Sequence, residues 1–263
     1  MQAKTIFAAF ALSGAALAQI PTAGNKEGVA MGHLHLLVSD PEAHRKIWVD
    51  VLGARPFKKG NAEFLLLPDV VIAFRKGTPS GGSDDSIVNH LGFQVQDVEA
   101  VKRKLTAAGL QIVKVMPDTK QAFIMFPDKI KVEFSQIEGL KVPIAHHHIH
   151  FFTPQVEEMR AWYAKMFGAI PGKRLRFQTA DLPGVNLSFS PSETPVAPSK
   201  GRGIDHVGFE VRNLEAFCKK MEAAGVKFDV PFRKVPALDL SIAFFTDPWG
   251  AYVELTEGLD VYR

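Results

Sequence analysis

Short runs of alternating hydrophobic and polar positions recur along the chain, and one arrangement of them occurs four times. Each occurrence opens with a strand headed by a histidine, continues into a helix that ends at a glycine, and closes with strands rich in Val, Ile, Leu and Phe. The opening strands begin at His33, His90, His148 and His206. A fixed order of elements repeated in this way predicts four copies of one structural module.

The helix of each module has a predicted beginning and end. Residues that favour helix N-termini follow the opening strands at Asp40-Pro41, Asp97, Thr153-Pro154 and Asn213. Glycines that favour the left-handed conformation just past a helix C-terminus follow at Gly53, Gly109, Gly168 and Gly225. We therefore expect one helix between each pair of signals.

The four modules also form two related pairs. The first and third open with His-x-His, whereas the second and fourth open with His-x-Gly, and the offsets between matching histidines are 115 and 116 residues. A two-module unit has therefore been duplicated, which predicts two domains at residues 31–138 and 145–258. Glycine- and proline-rich linkers or mobile rims are expected inside each copy, at residues 77–83 and 191–203.

Strand parity gives each leading histidine a direction. Side chains alternate between the two faces of a strand, so His206 shares a face with Gly208 and Glu210, opposite three apolar side chains. The strand that begins at His90 alternates in the same way. The apolar face is expected to pack under the helix, so each histidine points away from it, toward whatever the sheet encloses.

Two strands near the ends of the copies carry a carboxylate at matching positions. Glu133 and Glu254 each lie six residues after a proline, in the middle of a half-apolar strand. An unpaired charge is costly to bury, so each carboxylate needs a partner. Two histidines and a cation would supply one.

The closing run Asp-Pro-Trp-Gly-Ala-Tyr-Val-Glu-Leu at residues 247–255, together with the fourfold opening strand, resembles the vicinal oxygen chelate superfamily. This superfamily includes glyoxalases, bleomycin resistance proteins and extradiol dioxygenases, and the resemblance covers residues 31–258. It implies an α+β fold of four βαβββ modules, paired into two curled mixed sheets that each enclose a cup.

The resemblance also implies metal ligands. The N-terminal copy offers His33, His90 and Glu133, and the C-terminal copy offers His148, His206 and Glu254. Each set is a 2-His-1-carboxylate triad, which favours Fe(II), although Mn²⁺, Zn²⁺ and Ni²⁺ are possible. We expect metal in the C-terminal set, while the sequence leaves open which copy is active. His146 faces the same way as His148 by parity and could replace it.

The chain departs from two activities of the superfamily. Glyoxalases add a fourth, carboxylate ligand, where this chain has Val71 and Asn186. Extradiol dioxygenases usually place a tyrosine where it has Phe123 and Phe244. A dioxygenase-type enzyme acting on a small, oxygen-rich, metal-chelating substrate is favoured. A glyoxalase-like lyase or isomerase and a non-catalytic binding protein like the bleomycin-resistance relatives are the alternatives.

Two further histidines are candidates for proton transfer. His35 and His150 lie two residues beyond presumed ligands, on the same strand faces. Imidazole titrates near neutral pH, which suits a general acid or base or a group that supports a ligand. The alternative is that both simply line the cup.

Composition narrows the partners. The net charge is +3 with acids and bases interspersed, and no basic patch with interleaved aromatics is found, so nucleic acid is not expected. The single cysteine, Cys218, excludes an intrachain disulfide and falls in an amphipathic helix, where a small buried residue is expected. We expect a small-molecule substrate and a monomer or homodimer.

The first residues predict export. One positive charge precedes a short apolar run, and Ala16-Leu17-Ala18 fits a signal-peptidase site. Residues 1–18 are therefore predicted to be a signal peptide, with Gln19 as the new N-terminus, no membrane span after cleavage and a periplasmic or secreted location. The run is short for a bilayer span, and an uncleaved anchor is the alternative.

Overall fold

The computed structural model describes residues 23–259 and confirms the α+β fold of four βαβββ modules. The predicted signal peptide lies outside the described residues. Within residues 23–259, no helix is long and apolar enough to cross a membrane.

The modules follow one another along the chain. Module 1 contains β1 (Val29–Val38), α1 (Pro41–Lys46) with a π-helical turn (Ile47–Val51), β2 (Arg55–Lys59), β3 (Ala62–Leu67) and β4 (Val70–Lys76). Module 2 contains β5 (Val88–Val95), α2 (Val98–Ala107), β6 (Gln111–Met116), β7 (Gln121–Phe126) and β8 (Ile130–Gln136). Module 3 contains β9 (Ile144–Thr153), α3 (Val156–Phe167), β10 (Ile170–Arg174), β11 (Phe177–Leu182) and β12 (Val185–Pro191). Module 4 contains β13 (Ile204–Val211), α4 (Leu214–Ala223), β14 (Phe228–Val235), β15 (Leu240–Thr246) and β16 (Tyr252–Glu257). Single 3-10 turns precede β7, β8 and β15.

The helix ends agree with the sequence signals better than the helix starts do. All four glycines that follow the helices have a positive φ, between 67° and 93°. Asp40 and Asp97 accept hydrogen bonds from backbone N–H groups in the first turns of α1 and α2. Asn213 does not cap α4, because Glu257 of β16 accepts the N–H groups of Asn213 and Leu214 instead.

The sixteen strands within residues 23–259 form two eight-stranded sheets. One sheet has the order β14-β15-β16-β13-β1-β4-β3-β2 and is called the first cup. The other has the order β10-β11-β12-β9-β5-β8-β7-β6 and is called the second cup. Each cup therefore takes one module from each half of the chain, with β1 antiparallel to β13 and β5 antiparallel to β9 at the two centres.

The helices and the apolar strand faces share one hydrophobic core. Phe93, Phe151 and Phe209, which parity assigns to the helix side of their strands, are buried in it. Cys218 of α4 is also buried in this core, and burial raises the pKa of its thiol to about 12. The cup-facing sides of the central strands are therefore left to the histidines.

The two stretches at residues 77–83 and 191–203 connect modules that belong to different cups. They pack on each other, since Ser80 N–H donates to Gly201 O at 2.8 Å and Ser86 bridges to Ala197. Ser83, Ser86 and Ser199 are fully buried where the two stretches pack together. These contacts fit the interpretation of the two stretches as linkers.

Candidate metal centres

The first cup brings three predicted ligands together at its centre. His33 of β1 and His206 of β13 each place Nε2 against Glu254 Oε2 of β16, at 2.8 and 2.9 Å. All three side chains are at least nine-tenths buried. Antiparallel pairing of β1 with β13 and parallel pairing of β13 with β16 place the three residues on one face of adjacent strands.

The second cup repeats this arrangement with the other three predicted ligands. His90 Nε2 of β5 lies 3.1 Å from Glu133 Oε2 of β8, and His148 Nε2 of β9 lies 3.3 Å from the same oxygen. The two imidazole nitrogens are 3.4 Å apart. The two clusters are therefore pseudo-equivalent, with His148 in the place of His33.

The predicted grouping of ligands within each half of the chain is wrong. His33 does not join His90 and Glu133, and His148 does not join His206 and Glu254. The reason is strand pairing, because β1 pairs with β13 of the other half and β9 pairs with β5. Each cluster is assembled across the two halves.

The glycine of each His-x-Gly opening makes room for a ligand from the neighbouring strand. Gly92 pairs with His148, and a Cβ built on Gly92 would lie 1.9 Å from Cε1 of that ring. Gly208 pairs with His33, and its Cβ would lie 2.1 Å from Cε1 of His33. The His-x-His and His-x-Gly openings are therefore complementary. The glycine of one strand leaves the space that a histidine ring of the neighbouring strand fills.

A β-bulge changes the parity assigned to the three consecutive histidines. The register shifts so that Gly92 pairs with His148 and Phe93 pairs with His146, which leaves His147 as the extra residue. His146 thus packs against Phe93, with ring centroids 5.5 Å apart. His146 cannot replace His148 as predicted, and His147 instead places Nδ1 at 2.9 Å from His148 Nδ1.

Polar neighbours hold the second histidine of each cluster. His206 Nδ1 lies 2.6 Å from Asp205 Oδ1, and His90 Nδ1 lies 2.9 Å from Asn89 Oδ1. Asn89 donates from Nδ2 to Asp84 O, which fixes the oxygen of its amide toward His90. Each ring donates from Nδ1, so Nε2 is the nitrogen that faces the carboxylate.

The carboxylate of the second cup has further support. Gln121 Nε2 donates to Glu133 Oε1 at 2.6 Å, and Ser135 Oγ donates to the same oxygen at 2.7 Å. The matching positions in the first cup, Ile242 and Thr256, give Glu254 no such bonds, since Thr256 Oγ donates to Glu210. Sequence reasoning missed all of these supporting residues. A signal for two of them was present in the sequence, because a polar residue directly precedes both His90 and His206.

The protonation states suit ligands. Burial would raise the pKa of Glu133 and of Glu254, but the adjacent histidines outweigh it and hold both well below the usual range. Burial lowers the pKa of His90 to about 4. His206 differs, because Asp205 and Glu254 overcome burial and raise its pKa. Ionised carboxylates and neutral imidazoles are the forms that bind metal ions.

The donor sets fit a divalent cation. A neutral His90 that donates from Nδ1 turns a lone pair toward the ionised Glu133, so two acceptors face each other. A cation between them would satisfy both groups. The donor atoms of each cluster lie within 4.8 Å of one another when His35 is included in the first and His150 in the second.

The two candidate proton-transfer residues have different surroundings. His150 Nε2 lies 2.8 Å from Ser190 Oγ, while its Nδ1 is buried with no hydrogen-bond partner among the described residues. His35 has its ring centroid 4.4 Å from that of His206, and its Nε2 is buried with no partner within residues 23–259. Burial lowers the pKa of both rings well below the usual range.

The two cups differ most in how far their interiors are filled. The second cup contains a cavity of about 960 Å³, lined by His90, Glu133 and His150 among others. The first cup instead contains an apolar cluster that includes Leu66, Val71, Leu240, Ile242 and Leu259. One candidate ligand cluster therefore opens to a space that fits a small molecule, and the other lies against hydrophobic side chains.

The positions where the chain departs from known activities lie beside the clusters. Val71 pairs with His33 and Asn186 pairs with His148, on the strands next to these ligands. Phe123 and Phe244 contact the rings of His90 and His206 edge-to-face, both at 5.3 Å between centroids. Neither fourth carboxylate nor tyrosine hydroxyl is present at these four positions.

Comparisons with known proteins agree with this fold. A model of the Glyoxalase/Bleomycin resistance protein/Dioxygenase superfamily matches the chain twice, over residues 30–134 and 144–255. A search of curated proteins finds no match.

Solved structures share the fold at low sequence identity. Glyoxalase I from Zea mays is 18% identical with a TM-score of 0.68, over 88% of this chain and 93% of that one. A putative dioxygenase from Bacillus subtilis is 15% identical with a TM-score of 0.65, over 92% of this chain and 86% of that one. Identities this low establish a common fold and no shared reaction.

Proposed function

Because the chain belongs to the glyoxalase, bleomycin resistance protein and dioxygenase superfamily, we propose that it is a metal-dependent enzyme whose reaction centre is the second cup. The observation that carries this proposal is the position of His90 and Glu133 on the wall of a cavity of about 960 Å³. Cavities of this size hold small molecules. The substrate is proposed to be a small molecule with neighbouring oxygens that chelate the ion.

His90, Glu133 and His148 would hold the ion, with Fe(II) favoured for a triad of this type. The chemistry that a divalent ion supplies there is Lewis acidity toward substrate oxygens and, for Fe(II), binding of O₂. Gln121 and Ser135 fix Oε1 of Glu133, which leaves Oε2 as the oxygen that faces the histidines. Glu133 would therefore offer Oε2 to the ion.

His150 is proposed as the proton acceptor for a substrate hydroxyl. In the tautomer that this role requires, Nε2–H would donate to Ser190 Oγ and the lone pair would lie on Nδ1, which has no partner among the described residues. The ring centroid lies 4.6 Å from that of His90, so a substrate on the ion would lie beside it. Burial keeps the ring neutral, the form that accepts a proton, and by lowering its pKa also makes it a weaker base than an exposed imidazole.

The cavity wall favours an aromatic substrate body with an acidic group. Phe123, Phe152 and Phe177 surround His90 and His150, with ring centroids 4.9 to 5.3 Å from the nearest imidazole. Lys114 and Arg176 also line the cavity and neither has an ion pair with a described residue. Aromatic walls would hold a flat ring, and the cations would hold a carboxylate.

Oxygenase chemistry is favoured over a glyoxalase-like lyase or isomerase reaction. The glyoxalase-type fourth carboxylate would occupy the position of Asn186, whose amide is bonded to Asp181 and Ser188. The first cup has Val71 in that place, which cannot bind a metal or a proton. A binding protein without turnover is disfavoured, because such a role does not require a complete ligand set beside a free imidazole.

The experiment is an oxygen-uptake assay on the Fe(II)-loaded protein. Catechols, 2-oxo acids and hydroxyketones, each with and without an aromatic carboxylate, are compared with the hemithioacetal of methylglyoxal and glutathione. Uptake of O₂ with an aromatic chelating acid, abolished in Glu133→Ala and kept in Glu254→Ala, is the expected result. Conversion of the hemithioacetal without O₂ uptake would assign a glyoxalase-like reaction instead, and no conversion with tight ligand binding would assign a binding role.

A further inference from the structure

His35 lies where a fourth ligand would complete the first cluster. Its donor atom and those of His33, His206 and Glu254 all lie within 4.8 Å of one another. We infer that these four side chains form a closed site for a divalent ion of the zinc type, which stabilises the fold and takes no part in turnover. Four protein ligands with no open position are typical of structural zinc sites.

The first step is the contrast between His35 and its counterpart His150. Ser190 Oγ holds His150 Nε2 at 2.8 Å and so draws this nitrogen to a hydroxyl group of the wall. Arg75 stands in the place of Ser190, and its guanidinium is bonded to Asp205. His35 Nε2 is therefore buried without a hydrogen-bond partner in the described part of the chain, whereas in His150 the unpaired nitrogen is Nδ1. Coordination would satisfy His35 Nε2, whereas leaving a buried polar atom unpaired is costly.

The second step is the cover over the site. Val71, next to His33 in the sheet, is fully buried, and Ile242 replaces the Gln121 that supports Glu133 in the second cup. Phe244 lies edge-to-face against His206, and Leu259 is only 2% exposed in the same apolar cluster. Apolar side chains therefore make up most of this cover, with the ring of Tyr252 beside His206.

The third step is closure of the rim. A Cβ on Gly60, in the turn between β2 and β3, would lie 1.8 Å from the carbonyl oxygen of Ala237, in the turn before β15. The backbones of the two turns are thus in direct contact across the cup. In the second cup the matching turns contribute Thr119 and Leu175 to the cavity wall, and Leu175 is 73% exposed. The first cup is closed where the second is open.

The fourth step is the charge on the ligands. Asp205 accepts from Nδ1 of His206, whereas Asn89 accepts from Nδ1 of His90. A carboxylate behind a metal-bound histidine raises the basicity of the ligand and strengthens metal binding. Arg75 bonds to the other oxygen of Asp205 and fixes it in place. The first site is therefore built to retain its ion, and the second is built to leave it reactive.

The test is metal retention with Zn²⁺ as the probe. The protein is loaded with Zn²⁺, exposed to EDTA, and assayed over time for zinc per chain and for melting temperature. Wild type should lose one ion quickly and retain the other. His35→Ala should release the retained ion about tenfold faster or more, with a melting temperature lower by about 5 °C or more.

The matched control is His150→Ala, which removes the equivalent ring of the second cup. This variant should keep the chelator-resistant ion and the melting temperature of wild type. The inference is overturned if His35→Ala retains the ion as long as wild type does, or if His150→Ala loses it. Neither measurement involves a substrate, so this inference stands or fails separately from the proposed function.

A second variant covers the case in which His35→Ala does not fold. His35→Cys keeps a donor at this position, and Co²⁺ in place of Zn²⁺ should give a thiolate-to-cobalt charge-transfer band, since Cys218 is buried in the opposite core. A folded His35→Cys protein without this band would overturn the inference. If neither variant folds, the wild-type spectrum decides, because one chelator-resistant Co²⁺ should show the strong visible absorption of four-coordinate cobalt and not the weak absorption of six-coordinate cobalt.

Discussion

The ring of His148 occupies the space that a side chain on Gly92 would need, since a Cβ there would come within 1.9 Å of the imidazole. The two residues belong to different halves of the chain and pair across the centre of the second cup. Gly208 and His33 repeat the relationship in the first cup. In each His-x-Gly strand, the glycine is thus required for the histidine ligand of the neighbouring strand to keep its position.

Gly92→Ala should therefore remove the second-cup ion and turnover, because the His148 ring must leave its position to avoid the methyl group. Metal analysis and activity on the Fe(II)-loaded protein check this. Gly208→Ala is the matched control and should lose the chelator-resistant ion while it keeps the second-cup ion. Loss of the same ion in both variants would contradict the assignment of each glycine to its own cup.

His150→Ala should keep the second-cup ion and the fold but lower turnover by about 10²- to 10⁴-fold, the range for a general acid or base. Ser190→Ala should lower it less, because the ring remains but its tautomer is no longer fixed. Metal content and melting temperature separate these effects from loss of a ligand or of packing. If His150→Ala turns over within a few-fold of wild type, His150 only lines the cavity and takes no part in proton transfer.

His146→Leu should retain both metal ions and resist acid better than wild type. Burial lowers the pKa of His146 to about 3 in the folded chain, below the ordinary value of about 6.5 that applies when it is unfolded. A lowered pKa means that this residue favours folding above pH 6.5 and costs up to about 1.4 kcal/mol per pH unit as the pH falls toward 3. Denaturant unfolding at several pH values measures how the free energy of unfolding depends on pH. Loss of a metal ion in this variant would instead favour His146 as a ligand.

We propose that the protein is exported and that the exported form begins at Gln19, because the Ala16-Leu17-Ala18 site precedes this residue. Mass spectrometry of the protein from the periplasmic or secreted fraction checks the N-terminus. An intact Met1 in that fraction would favour the uncleaved anchor.

Much of the fold could be read from the sequence because it depends on local patterns. The four helix-ending glycines and the positions of the histidines on their strands follow from periodicity, which acts over a few residues. The partner of each module could not be read in the same way. Contacts between residues far apart in the sequence decide whether β1 pairs with β5 or with β13. The complementary His-x-His and His-x-Gly openings were the sequence feature that reflected this pairing.

Two further features of the site were beyond a parity argument. A single extra residue, His147, shifts the register and moves His146 to the core, and alternation alone does not reveal a bulge. The filled first cup was also missed, since Val71 and Ile242 read as ordinary strand residues until the sheet curls and brings them together. The ligand types were predictable, whereas their grouping and their access to substrate depended on the tertiary structure.

The central claim is that each metal site is assembled from both halves of the chain, and metal content of two double variants tests it most directly. His148→Ala/Glu133→Ala removes two ligands of one site and should lose one ion per chain. His33→Ala/Glu133→Ala removes one ligand from each site and should lose both ions, with the matching single variants as controls. The reverse result, in which the pair His33 and Glu133 costs one ion and the pair His148 and Glu133 costs two, would place the sites within the halves and contradict this account.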